Sequence, residues 1–247
     1  MKVSVVVSYC SLDKKFMPAL LNQLLIFSDD IIIVHYDKLL NGTPEDVSEV
    51  DNFCKIDYNK IHSKCLPFTA DNSSRHFHNL ARWEGARHIK HDYILFLDAD
   101  EIPEGEVFRQ ILNADLLAEY DAVDFNCYWY FRSAQYQAMQ TEECGLLIKR
   151  SMIKEKLMFT ESERWSYRNT PGIKYLPRAR IDVPFMHHFS WARTREEMLT
   201  KVSAWGHMHD KDWTSLINEE FSRDFNGTDF VHRYSYNKVP DKFLIGI

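Results

Sequence analysis

The stretch YILFLDADE, Tyr93 to Glu101, runs five apolar or aromatic residues straight into three acids. A continuous apolar run of this length reads as a β-strand buried on both faces, the kind found inside a parallel sheet. Its C-terminal end then brings Asp98, Asp100 and Glu101 to one place. Carboxylates held together repel one another, and buried ones are costly or protonate unless a counter-charge meets them. The reading of the chain turns on what supplies that charge.

Upstream, Val3 to Ser8 is a β-branched run and a second buried strand. Residues 13–27 place Phe16, Leu20, Leu21, Leu24 and Leu25 on one helical stripe. DDIIIVHYD, Asp29 to Asp37, is another apolar strand, so strand, helix and strand follow with short joints. That makes a right-handed βαβ unit on a parallel sheet. NGTPED is a turn, and NFCKIDY, Asn52 to Tyr58, reads as a third, weaker strand. Asn72, Ser73 or Ser74 then caps a helix whose core stripe is Phe77, Leu80, Ala81 and Ile89, leading into the Tyr93 strand. Ligands bind such sheets outside the C-terminal strand ends, where the acids are.

After Pro103 the pattern changes. DAVDFNCYWYFRS, CGLLIKRS and VPFMHHFSW read as strands of a mixed sheet. Thr194 with Glu197 forms a capping box for a helix that carries Met198, Leu199, Val202 and Trp205 on one side. No repeat, linker or low-complexity segment divides the 247 residues, so the expectation is one α/β domain. Its central sheet is mixed, mostly parallel and flanked by helices. Residues 1–105 form the ligand-binding half and residues 106–247 the remainder.

Composition narrows the function. A net charge of −6 argues against a nucleic-acid binder. Five scattered cysteines without a C-x-x-C favour reduced thiols in a cytosolic setting over disulfides or a zinc site. No stretch approaches the roughly 18 apolar residues of a membrane span, and the N-terminus does not read as a signal peptide. The chain therefore reads as soluble and cytoplasmic, and its Asn-x-Ser/Thr triplets at Asn41, Asn72 and Asn226 as chance.

The Asp-x-Asp triplet occurs twice, which supplies an internal control. Asp210-Lys211-Asp212 lies in the polar run HMHDKDW with no strand before it, and reads as a solvated face. Only Asp98-Ala99-Asp100 is fixed at a strand end. A hard divalent cation, Mg²⁺ or Mn²⁺, would relieve its charge and bridge to phosphate oxygens. With only eight glycines, no G-x-G-x-x-G and no Walker loop, metal and basic side chains would have to do most of any phosphate binding.

Two blocks carry a family likeness: VSVVVSYCSLDKKFMPALLNQLLIFSDDIIIV and NLARWEGARHIKHDYILFLDADEIPEG. Together they resemble the nucleotide-binding half of GT-A glycosyltransferases, particularly the inverting family 2 group, over residues 3–105. The resemblance implies a GT-A (Rossmann-like) fold. It also implies sugar transfer from a nucleoside-diphosphate sugar to a glycan or other hydroxyl acceptor, with Mn²⁺ or Mg²⁺ as cofactor. Ser8 and Tyr9 fall where the base is touched, Asp37 near the acid that holds it, and Arg82 near the nucleoside or diphosphate. Asp98 would face the ribose or metal and Asp100 would ligate the metal. HYD stands where the family usually has DDG, and Trp83 where Asn is common.

The resemblance also implies a C-terminal histidine on the metal. In a strand the rings of His187 and His188 point to opposite faces, so one at most reaches the site. His188 is favoured and His187 is the alternative. The base that takes the acceptor's proton is expected after a feature resembling LLIKRS, which selects Glu163 first and Glu161 second. Trp129, Tyr130 and Trp165 suit either an acceptor sugar or the core. Two other readings share the scaffold. One is a sugar nucleotidyltransferase, disfavoured by the lack of a glycine-rich N-terminal loop; the other is an inactive nucleotide-sugar-binding protein.

Overall fold

The computed structural model describes residues 1–70, 73–114, 118–160, 162–178 and 183–245. The first half alternates as the sequence predicts: β1 (Val3–Ser8), α1 (Met17–Leu24), β2 (Ile31–Tyr36), α2 (Ser48–Ile56), β3 (Ile61–Leu66), α3 (Ser74–Ala86) and β4 (Tyr93–Asp98). Then follow β5 (Glu101–Pro103), α4 (Gly105–Asn113), β6 (Ala122–Phe131), β7 (Ser133–Lys149), α5 (Glu155–Met158), β8 (Tyr175–Leu176) and β9 (Met186–Trp191). The described chain ends with α6 (Arg195–Ser203), α7 (Trp213–Phe221) and β10 (Tyr236–Lys238).

One sheet runs through the molecule in the order β3-β2-β1-β4-β7-β6-β9-β5, with β10 beside β7 and β8 beside β6. β3, β2, β1 and β4 are parallel, whereas β7 enters antiparallel to β4. Alternate residues of the parallel strands feed two cores. Val5, Val7, Ile33, Leu95 and Leu97 pack with Phe16, Leu20, Leu21, Phe53 and Phe108. Val6, Ile32, Val34, Ile94 and Phe96 pack on the other side with Ala81, Ala86, Met158 and Tyr167. Helices therefore cover both faces, which is why these strands are apolar without alternation.

α3 lies close to the sheet at Gly85, where a Cβ would stand 2.4 Å from Val6 Cγ1 and 3.1 Å from Val34 Cγ2. A third cluster joins Trp129, Phe131 and Trp191 to Met198, Val202, Trp213 and Ile217, seating α6 and α7 against β6 and β9.

Two expectations need correction. Residues 52–58 do not form a strand: Ser48–Ile56 is helical, with Glu49 and Asp51 in its first turn and Val50 and Phe53 buried one turn apart. The third strand is Ile61–Leu66. The first helix is split, a 3₁₀ turn over Ser11–Phe16 preceding α1, whose Pro18 sits at the start where its missing N–H costs nothing. The α3 cap is Ser73, whose side chain accepts from the His76 amide; Asn72 lies outside the described residues. The Thr194–Glu197 capping box forms as expected.

Candidate active site

Parallel pairing sets Ser8 opposite Asp98, so β1 and β4 end side by side. The Ala99 amide donates to the Ser8 carbonyl at 3.0 Å, and the Asp98 amide to Glu101 Oε2 at 3.0 Å. β5 then pairs with β9, putting Glu101 opposite His188, and the Phe189 amide donates to the Asp100 carbonyl at 2.8 Å. His188 in turn lies beside Trp129 of β6. Three separate strand pairings thus bring Asp98, Asp100 and His188 to one wall.

Each acid is met by protein cations. Asp98 Oδ1 accepts from Arg82 at 3.0 Å, and Arg164 stands 3.8 Å from Oδ2. Burial would push the Asp98 carboxyl up, but Arg82 and Arg164 outweigh it and hold it below the usual range. Asp100, 5% exposed, turns Oδ2 toward Lys201 at 3.4 Å and Arg193 at 3.8 Å, and Oδ1 toward His188 Nε2 at 3.4 Å. Here too burial is overcome, by Lys201, His188 and Arg193, and the carboxyl stays ionised. Burial acts against a charged His188, yet Asp100 raises its pKa well above the ordinary value. Glu101, fully buried, forms a fork with Arg164.

These groups open on a cavity of about 520 Å³, a size that suits a small-molecule ligand. Ser8, Tyr9, Tyr36 and Glu45 line it at the β1–β2 end, Asp98 and Asp100 line it between, and Trp129, Trp205 and Trp213 line the opposite side. Ser8 Oγ, Tyr9 OH and Trp129 Nε1 are buried on that lining without a hydrogen-bond partner among the described residues. Buried polar atoms rarely stay unpaired, so such atoms at both ends of one cavity point to a polar occupant.

A family model for glycosyl transferase family 2 matches residues 47–195, more than half of the chain. The chain belongs to glycosyl transferase family 2. No curated protein matches it. Among solved structures it is similar to TarS 1-349 of S. aureus, at 14% identity over 91% of this chain and 73% of that one, with a TM-score of 0.49. The same protein in complex with UDP-GlcNAc matches at 14% identity over 90% and 73%, TM-score 0.49. The glycosyltransferase GlyE of Streptococcus pneumoniae TIGR4 matches at 12% identity over 90% and 64%, TM-score 0.40.

In this family 2 chain the mixed sheet flanked by helices is the GT-A arrangement that the sequence predicts. Of the residues singled out from sequence, Ser8, Tyr9, Asp98, Asp100 and His188 share the cavity lining. His187 faces away, its Nδ1 2.8 Å from Tyr130 OH and its Nε2 3.0 Å from Glu104. Arg82 is 2% exposed and stands behind the wall as a clamp, bonding Asp98 and, at 2.8 Å, Glu163.

Two of the expected residues stand outside the lining. Asp37, expected beside the base, is outside the lining and accepts the Phe68 amide at 2.7 Å. Glu45 stands in the lining instead, fixed by the Ser11 amide at 2.8 Å, its carboxyl pushed up by burial. Glu163, expected as the base, is also outside the lining. Burial is outweighed there by His78 and Arg82, and the carboxyl is held far below its ordinary range, which makes it a poor proton acceptor. Its backbone is left-handed, φ +48°, at the start of the turn Glu163–Asn169. Glu161 lies outside the described residues.

In the run HMHDKDW the polar residues His207, His209, Asp210, Lys211 and Asp212 are solvent-exposed, as expected. His207, Asp210 and Lys211 also line the cavity mouth, Asp212 caps α7 through the Ser215 amide, and Trp213 is buried. Trp129 lines the cavity, whereas Tyr130 is buried against His187 and Trp165 stacks under Arg164 and Arg168. Lys201 and Arg193 were missed. Lys201 could have been found, because it falls on the Met198–Val202–Trp205 stripe where a cation does not belong unless it is used. Arg193 carries no such signal.

Proposed function

We propose that this chain is a metal-dependent, inverting glycosyltransferase that moves a sugar from a nucleoside-diphosphate sugar to an acceptor hydroxyl. The observation that carries this reading is the cavity itself. Ionised Asp98 and Asp100 sit between an end with unpaired Ser8 and Tyr9 and a side walled by tryptophans. The nucleoside lies at the Ser8–Tyr9–Tyr36 end, the diphosphate over the acids, and the acceptor against Trp129, Trp205 and Trp213, whose faces suit the apolar side of a sugar ring.

The donor set fits a divalent ion held partly by its substrate. Among the described residues no group of three or more His, Cys, Asp or Glu forms a ready cage. Asp100 Oδ1 and His188 Nε2 face each other on the lining at 3.4 Å, a carboxylate oxygen and an imidazole nitrogen that a divalent ion could share. These two would hold Mn²⁺ or Mg²⁺ once the ion displaces the His188 proton, the imidazole favouring Mn²⁺. When bound, the ion supplies positive charge to the departing diphosphate.

The chain's own residues do the rest. Arg82 and Arg164 keep Asp98 ionised and aimed, and Arg193 and Lys201 do the same for Asp100 from its Oδ2 side. Asp98 and Asp100 are tied to these cations, and Asp13 to Arg193. Asp210, which meets His207 at 2.8 Å on the acceptor side, is the carboxylate we assign to the acceptor hydroxyl's proton. Among the described residues no helix is long and apolar enough to cross a membrane, and all five cysteines are free. Free thiols support work in a reducing, cytoplasmic setting.

The test is turnover of a donor panel that includes UDP-GlcNAc, UDP-glucose and GDP-mannose, with Mn²⁺, Mg²⁺ or EDTA, alongside Asp100→Ala. Metal-dependent release of one nucleoside diphosphate, lost in the variant, is expected. Intact donors throughout would favour an inactive binding protein on the same scaffold.

A further inference from the structure

Lys201 is 8% exposed on the buried stripe of α6, between Met198 and Val202. The helix start is fixed by the Thr194–Glu197 box, so this register is not free to slip. A lysine placed there must bury its ammonium or reach an opening, and the opening it reaches is the cavity, whose wall it joins. Its ammonium donates to Ser190 Oγ at 2.8 Å and to the Ser190 carbonyl at 3.1 Å. Its third contact, Asp100 Oδ2 at 3.4 Å, is the longest.

Arg193 stands behind the same oxygen at 3.8 Å and is itself anchored by Asp13, the Leu12 carbonyl and the Ser190 carbonyl. Two fixed cations therefore bear on one side of Asp100, while its other oxygen faces His188. If the lysine served only the fold, an apolar side chain on that stripe would avoid the desolvation of a buried charge. Its position suits a phosphate: a compact cation on a four-carbon stem, two contacts firm and one long enough to exchange for a stronger anion.

We propose that Lys201 is a phosphate-binding residue of the donor site, holding the diphosphate from the Oδ2 side of Asp100 so that nucleoside diphosphate binds even without a divalent ion. The inference rests on the glycosyltransferase reading and deepens it. Lys201 would hold the diphosphate from the Oδ2 side of Asp100, while Asp100 and His188 would hold the ion from the Oδ1 side. Removing the ion weakens the hold, and Lys201 keeps it from vanishing.

Calorimetric titration of UDP, GDP, ADP and CDP, with Mn²⁺ and with EDTA, tests it. The nucleotide that binds with Mn²⁺ is expected to bind wild type in EDTA as well. In EDTA, Lys201→Met is expected to weaken that binding about tenfold to a hundredfold, the loss of one charge-assisted bond, and Lys201→Arg to restore part of it. Lys201→Met with Mn²⁺ should still bind, which separates a lost phosphate contact from a collapsed site. Wild-type binding that disappears in EDTA overturns the inference without recourse to any variant. So does Lys201→Met binding in EDTA as tightly as wild type. If none of the four nucleotides binds with Mn²⁺, the glycosyltransferase reading itself falls.

Discussion

Arg82→Met removes the clamp behind the acid wall, and its cost can be worked from the geometry. Arg82 bonds Glu163 at 2.8 Å and Asp98 at 3.0 Å and is almost wholly buried. Taking one partner from a buried pair costs about 3–5 kcal/mol, because the other charge is left uncompensated. Asp98 and Glu163 keep a third and a quarter of their side-chain surface open, and Arg164 at 3.8 Å and His78 at 3.7 Å remain nearby. Screening by water and these partners reduces the figure to about 2–3 kcal/mol. For a domain of this size that lowers the Tm by about 4–12 °C.

The pH dependence follows from the signs. Both carboxyls are depressed in the folded protein. Their contribution is therefore present above the unfolded value, near pH 4, and is lost as pH falls through the lower folded values. In the variant Arg164 and His78 alone remain to depress the two carboxyls, so the depression is smaller and the acids take up protons at higher pH than in the wild type. Urea unfolding of both proteins should show a gap of about 2–3 kcal/mol at pH 7 that narrows as pH falls below about 4 toward the depressed folded values. A gap below about 0.5 kcal/mol, or one that does not change with pH, would refute the clamp.

Gly85→Ala should destabilise by about 1–3 kcal/mol in the same assay, because the new methyl meets Val6 and Val34 side chains that the packed sheet cannot move aside. Asp210→Asn should lower turnover by a factor of about 10²–10⁴ while nucleotide binding by calorimetry stays within twofold; unchanged turnover would remove Asp210 as the base. Glu163→Gln should act chiefly on Tm, through its lost pair with Arg82, and a turnover loss as large as that of Asp210→Asn at unchanged Tm would restore Glu163 to the chemistry. NMR of the first product formed should show the anomeric configuration opposite to the donor's, and a retained configuration would contradict direct attack by the acceptor.

The parallel half of the fold was legible because burial on both faces leaves unbroken apolar runs, as in Tyr93–Leu97 and Ile31–Val34. Helix α2 was not, since Val50 and Phe53 alone mark its buried side and a lone pair of that spacing shows no period. Beyond residue 105 the pairings of β7 with β4 and β9 with β6 join segments far apart in the chain, which no local pattern records. The site divides the same way. Ser8, Asp98 and Asp100 could be placed together because strand ends in a parallel sheet lie side by side, and strand alternation separated His188 from His187.

The counter-charges could not be read so. Arg193 and Lys201 reach Asp100 from about 90 to 100 residues away, and Arg82 meets Glu163 across 81. An acid seen in isolation after LLIKRS therefore looked available for catalysis when the fold had already paired it. Asp37 lies outside the lining for a smaller reason. The chain turns after Tyr36, and the carboxylate satisfies the Phe68 amide in the adjoining loop.

The most direct test of the central claim is the crystal structure of the protein with Mn²⁺ and the nucleoside diphosphate that binds it best. The account predicts the base at the Ser8, Tyr9 and Tyr36 end, and the diphosphate between Asp98, Asp100 and Lys201 with the ion on the Asp100–His188 edge. A nucleotide bound outside this cavity, or a diphosphate turned away from the two aspartates, would contradict it.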